Sequence, residues 1–178
     1  MNIFFLDTNI KKSIQYHCDK HVVKMILEYA QILSTCHHEI DDIASSVLGE
    51  IYKSTHKNHP STRWTMAHKS HYDTVYAMLV SALEEYTHRY GKIHKTSRLL
   101  GVLKNAPNLI NNSGIVHMVD TTQFTTLPPQ CMGEQYFIEP KNPTDMYAVV
   151  NAYRAYYMGE KASLLSYKNR ELPQWVIL

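Results

Sequence analysis

Along most of the chain, apolar residues recur at helical spacing. From Ser70 to Tyr90, the positions Tyr72, Val75, Tyr76, Leu79, Leu83, Tyr86 and Tyr90 predict a helix with an apolar face, stopped by Gly91. Upstream, Asp19 can cap a longer helix to about Cys36, and Asp7, Thr8 and Asn9 are N-cap types ahead of a short helix through Tyr16. Asn2–Leu6 reads as an extended lead-in, and a helical turn or two is expected around Ile43–Ile51. His56–Pro60 reads as a loop, with Pro60 at the first position of the next helix. Further helices are expected over about Thr96–Lys104 and from Asn142–Pro143 to about Met158, with Gly159 as a break. Residues 105–142 differ, because Pro107, Asn111, Asn112, Pro128, Pro129 and Pro140 leave little helical pattern. They predict a long irregular insert with a short β-like segment at Gly114–Val119, and so long a stretch is more often functional than idle. The expected fold is all-α: a compact, single-domain helical bundle over 1–178 carrying this insert.

The second helix carries the strongest functional signal. Val22, Val23, Met25, Ile26, Leu27, Tyr29, Ala30, Ile32 and Leu33 spread over more than half its circumference, so it should be largely enclosed. The remaining narrow sector holds His21, Lys24, Glu28 and Gln31, with Lys20 at its edge and His17 joining if the helix starts earlier. Charges on so apolar a helix should pair or line a cleft, because burying them alone is expensive. A carboxylate facing a histidine and a lysine there suits proton transfer or the stabilisation of a developing cation. The plainer alternative is a Lys24–Glu28 pair one turn apart with His21 hydrogen-bonded beside it.

Composition narrows the class. An apolar fraction of 44% and a charged fraction of 19% are ordinary for a folded protein and exclude wholesale disorder. No apolar run approaches the roughly 20 residues of a membrane span, and Met1–Leu6 lacks a basic leader. Cys18, Cys36 and Cys131 cannot all pair with one another and lack CxxC spacing, so reduced thiols in a cytoplasm are expected. The net charge of +2 is unremarkable, but no acidic residue lies between Glu85 and Asp120, where Arg89, Lys92, Lys95, Arg98 and Lys104 accumulate. That run is either a basic field for phosphates or a solvated helix face.

A second concentration runs from His56 through Asn58, His59 and Arg63 to Trp64. Such a loop, ending at a helix N-terminus, can hold an anion, while Trp64 either stacks on a base or fills the core. Eleven histidines also allow a metal-dependent hydrolase. His17 and His21 would share a helical face, with His56, His59, His68 or His71 and Asp19 or Glu28 completing the site.

Three ordered patches resemble a known family. Asp19-Lys20-His21 with Glu28 seven residues after the histidine resembles the first long helix of the pyrimidine-dimer DNA glycosylases of tailed phages, the endonuclease V type. Lys57-Asn58-His59-Pro60 is similar to a run in their bacterial relatives, and Tyr153-Arg154-Ala155-Tyr156-Tyr157 with Gly159 and Lys161 is similar to the closing segment. The resemblance implies a compact all-α enzyme, without a cofactor or metal, that acts as a monomer on double-stranded DNA in a bacterial or phage-infected cytoplasm. It kinks the duplex, displaces a nucleotide, cleaves the glycosidic bond of a pyrimidine dimer and nicks the abasic strand. By this resemblance Glu28 is the catalytic carboxylate, with His21 and Lys24 beside the abasic-site phosphates. Lys20, His56, Asn58, His59, Arg63, Tyr156, Tyr157 and Lys161 would then face DNA.

Position 2 departs from the family pattern. The family's nucleophile is the α-amine of a threonine exposed by removal of the initiator Met, whereas this chain has Asn2, whose bulk disfavours that removal. Lys20 or Lys24 could form the imine instead if burial lowered its pKa. Otherwise the enzyme is a glycosylase that does not nick, or it does different chemistry, as a transferase or glycosylase working on a modified phage base would. The insert at 105–142 has no counterpart in the family pattern, and a non-catalytic DNA-binding module is the remaining alternative.

Overall fold

The computed structural model describes residues 1–41 and 49–177. Among them are six α-helices: α1 (Ile10–Gln15), α2 (Asp19–Ile40), α3 (Pro60–Ala67), α4 (Lys69–Tyr90), α5 (Leu100–Leu103) and α6 (Met146–Glu160). The only sheet among these residues is a hairpin of β1 (His117–Val119) and β2 (Thr122–Phe124), antiparallel with Met118 opposite Gln123. The architecture is mostly helical, as the periodicity predicts. The turn expected around Ile43–Ile51 lies, through residue 48, outside the described residues.

The core forms where α2 and α4 pack along each other. Met25, Ile26, Tyr29, Ile32 and Leu33 of α2 and Tyr72, Val75, Met78, Leu79 and Ala82 of α4 are all buried in it. A second layer comes from the N-terminal segment. Ile3, Phe4, Phe5 and Leu6 are buried in the interior, and the Ser13 hydroxyl donates to the Phe4 carbonyl (3.2 Å) while accepting from Leu6 N–H (2.9 Å). Arg154 Nε donates to the Leu6 carbonyl (2.8 Å), tying this segment to α6. Buried backbone groups of a segment outside any helix or sheet need such partners. The segment thereby carries residue 2 to the side of α2.

Several helix ends match their cap chemistry. Asn9 accepts from Lys12 N–H at 3.1 Å, Pro60 opens α3 behind His59, and Gly91 closes α4 at φ 63°. Others are shifted. Cys18, not Asp19, is the N-cap of α2, and α2 runs on to Ile40. The Asp19 carboxylate is drawn instead to Arg89 (3.0 Å) and the Lys168 N–H (3.0 Å). The helix expected over Thr96–Lys104 is a 3-10 turn, Lys95–Leu99, followed by the single turn of α5. Asn142 accepts from Thr144 N–H (2.9 Å), so Asn142–Pro143 form a turn and Asp145 caps α6. Gly159 lies inside α6, where its missing side chain leaves room for the Tyr136 ring from the insert.

Two expectations about exposure are corrected. Val23 and Leu27 are about two-fifths exposed, in line with Lys20 and Lys24 on an open stripe of α2, so that helix is enclosed on one side only. A few exposed aliphatics are ordinary, which is why composition alone misplaces them. Arg89 contributes nothing to a basic surface. It is 1% exposed and donates to Glu85 (2.7 Å), Asp19 (3.0 Å) and the Gln15 carbonyl (2.9 Å). Replacing it with Met should lower the stability measured by urea unfolding by about 3–5 kcal/mol, because buried Glu85 then has Arg170 alone (2.8 Å). A loss below about 1 kcal/mol would refute this structural role.

Candidate active site

Glu28 lies on α2 where the open stripe meets the packed face. It is 9% exposed, and its two oxygens have different partners. Oε1 faces Lys24 Nζ at 3.1 Å, one turn earlier on the helix, and Oε2 accepts from the backbone N–H of Asn2 at 3.1 Å. The side chain is shielded yet borders the exterior, since Lys24 is 67% exposed. Lys24 is thus exposed and not buried, contrary to one expectation from the sequence. Lys20 is also exposed, beside a shallow groove of about 350 Å³ lined by Asp19, Val23, Lys24 and Tyr90.

His21 sits one turn before Lys24 and is 6% exposed. Its ring stacks on Phe4 (4.7 Å), which in turn lies parallel to Tyr156 (6.3 Å). Burial, and then the positive charges of Lys161 and Lys24, lower its pKa to about 4, with Glu28 opposing. His21 is thus neutral near pH 7. Its Nδ1 pairs with the Tyr157 hydroxyl, which burial keeps protonated and which has no other partner among the described residues, so that hydroxyl donates and the ring's own N–H is at Nε2. His21 offers a neutral donor rather than a cation. Tyr157 is 0% exposed and faces His21, not DNA, which corrects its expected place on the outer surface. Tyr156 is half-buried, and Lys161 Nζ lies 4.9 Å over its ring.

The sequence marks position 2 as a departure from the family pattern but does not show what holds Asn2. The Asn2 Nδ2 donates to the Cys131 carbonyl (2.8 Å), and its Oδ1 accepts from Ile3 N–H (2.8 Å) and the buried Tyr153 hydroxyl (2.8 Å). Cys131 belongs to the insert, so the insert borders the site. It also lines a cleft of about 460 Å³ with His59, Pro60, Pro129, Gln130 and Met132. His59 caps α3 by accepting from Ser61 N–H (3.2 Å). Burial lowers its pKa, the Met1 α-amine and His56 lower it further, and Glu28 opposes them, which ties this loop electrostatically to the site. His56, Asn58 and Arg63 are exposed on the loop and on α3, outside the Glu28 cluster.

The histidines expected as metal ligands have other work. His17 is fully buried, with Nδ1–H donating to the Ser13 carbonyl (2.8 Å) and Nε2 accepting from the Tyr29 hydroxyl (3.1 Å). It therefore leaves the polar sector and cannot pair with His21. His71 donates to the Trp64 carbonyl (2.7 Å) and accepts from Thr125 N–H (2.9 Å), and His68 caps α4. Trp64 is core, stacked on His71 at 4.2 Å, with its indole N–H on the Thr126 carbonyl (2.7 Å). Among the described residues, no three His, Cys, Asp or Glu side chains gather as metal ligands would.

A helical scaffold with a shielded carboxylate paired to Lys24, and beside it a neutral imidazole that Lys161 also approaches, suits a substrate that is anionic outside and turns cationic where it reacts. Residues 1–99 match the family described as pyrimidine dimer DNA glycosylase, and the chain belongs to that family, whose substrate is DNA. The matched stretch contains Asn2, His21, Lys24, Glu28 and His59, whereas Cys131, Tyr153, Tyr156, Tyr157 and Lys161 lie beyond it. No curated protein and no solved structure matches the chain. No described helix is long and apolar enough to cross a membrane.

Proposed function

We propose that this protein is a DNA N-glycosylase that excises damaged pyrimidines, pyrimidine dimers foremost, from duplex DNA, with Glu28 as its essential carboxylate. The observation that carries this reading is the 3.1 Å contact between Glu28 Oε2 and the nitrogen of residue 2. It supports the reading because the resemblance makes these the two reacting positions, adjacent here although Asn stands where the family pattern has Thr. When the C1′–N1 bond breaks, its electron pair leaves with the base and positive charge grows on the sugar, where a fixed carboxylate stabilises it. Lys24, Lys161 and the His21 N–H then serve as phosphate partners around the lesion, with Lys20, Arg63 and the 56–59 loop further out.

Two fates of the sugar follow from the state of residue 2. If Met1 is removed, the nitrogen beside Glu28 is a free α-amine. It adds to C1′ with loss of a proton, and the ring opens to an imine. Removal of a C2′ proton then expels the 3′-phosphate and nicks the strand. If Met1 stays, that nitrogen is an amide that only orients Glu28, and water adds to C1′ instead.

Ultraviolet-irradiated and undamaged duplexes, incubated with the protein and borohydride, separate these outcomes. A trapped covalent complex on irradiated DNA alone is expected from a chain that begins at residue 2, and base release without trapping from one that keeps Met1. Neither result on any damaged or modified duplex would end the glycosylase reading.

A further inference from the structure

We infer that Asn2 is a positioning residue for this reaction, and that Tyr153 and the insert segment 129–131 form a clamp that sets the residue 2 nitrogen against Glu28. The inference rests on the glycosylase reading above. The orientation of the Asn2 carboxamide follows from its partners. The Cys131 carbonyl requires a donor and the Ile3 N–H requires an acceptor, so Nδ2 faces the first (2.8 Å) and Oδ1 the second (2.8 Å). The Tyr153 hydroxyl, fully buried, reaches both Asn2 Oδ1 and the Pro129 carbonyl at 2.8 Å and accepts from Cys131 N–H at 3.3 Å. One phenol therefore joins the insert to residue 2.

The physical reason to assign a positioning role is where this network ends. A chain end ordinarily frays. Here the side chain of residue 2 is held by groups on two distant segments, while its backbone nitrogen is left with Glu28 as partner. Displacing a reacting group by about 1 Å can cost about a hundredfold in rate. Both clamping elements lie outside residues 1–99, so the insert supplies a function that the matched region lacks. Asn at this position is then the complement of the insert rather than a defect.

The test uses Tyr153→Phe, which leaves the N-terminal sequence untouched, and Asn2→Asp, which keeps shape but loses the donor and adds a carboxylate beside Glu28. Base release and borohydride trapping on irradiated duplex are followed at saturating enzyme across pH. DNA affinity, melting temperature and intact mass are measured for each variant. Expected is a fall of about tenfold or more in the saturated rate for both variants, with affinity within about threefold of the parent. In Asn2→Asp chains that begin at residue 2, the pH of half-maximal trapping should also rise, since a second carboxylate stabilises the protonated amine. Parent-like saturated rates in both variants, or losses confined to affinity or melting temperature, would overturn the clamp. A parent protein that neither releases base nor traps DNA removes the glycosylase reading, and the clamp with it.

Discussion

Replacing Glu28 with Gln should reduce base release about a thousandfold while leaving duplex affinity within a few-fold of the parent. The amide fits the same space and can still accept from the Asn2 N–H at 3.1 Å, so packing and chain position survive. Only the charge is lost, and charge is what the forming sugar cation requires. Affinity should hold or improve slightly, because a negative group disappears from between Lys24 and the DNA phosphates. Single-turnover base release at saturating enzyme, set against fluorescence binding at fixed salt, separates the two effects. A variant that keeps more than a tenth of the parent rate would rule out Glu28 as the essential group. Equal losses of rate and affinity would indicate that the substitution had disturbed the fold.

Mild acid should unfold the protein, through its histidines. Burial lowers His17 to about 3, and burial followed by nearby charges lowers His21 to about 4. Burial also lowers His71 to about 4, against the pull of its hydrogen bond to Trp64. The unfolded chain binds these protons near pH 6.5 and the folded chain does not, so stability is complete above about pH 6.5 and falls as pH drops toward 4. Three such groups give a slope of about 4 kcal/mol per pH unit once the unfolded histidines are charged. At that slope the usual 5–15 kcal/mol of a domain corresponds to about one to four pH units. Carboxylates steepen the end of the curve. Burial pushes Glu85 up, but Arg170 and Arg89 outweigh it and hold it low, so its protonation costs further stability below about pH 4.5. Urea midpoints followed by circular dichroism at pH 7, 6 and 5 measure the slope, and His17→Gln should flatten it by about a third. Equal midpoints at pH 7 and 5 would contradict the neutral burial of these rings.

How much of the site was legible depends on the range of the interactions involved. The sector His21–Lys24–Glu28 is a statement about 100° per residue, a local geometry, and the structure keeps the three together. Its depth was not local. Whether Val23 and Leu27 faced inward or outward depended on where α4 and the N-terminal segment packed, and they face outward. Arg89 and Tyr157 mislead for the same reason. One is basic and one aromatic with a polar tip, and both are carried inside by partners elsewhere in the chain, Asp19 and His21.

The amino-acid sequence by itself determined the mostly helical character, the caps at Asn9, His59 and Gly91, and the face of α2 on which Glu28 lies. Each follows from contacts within a turn or two of helix, where the chain has few choices. Tertiary structure alone decided that Asn2 meets Cys131 and Tyr153, residues 129 and 151 positions away, and that their meeting puts the nitrogen of residue 2 on Glu28. No periodicity encodes such a meeting, because it exists only after the N-terminal segment, the insert and α6 have packed around one core.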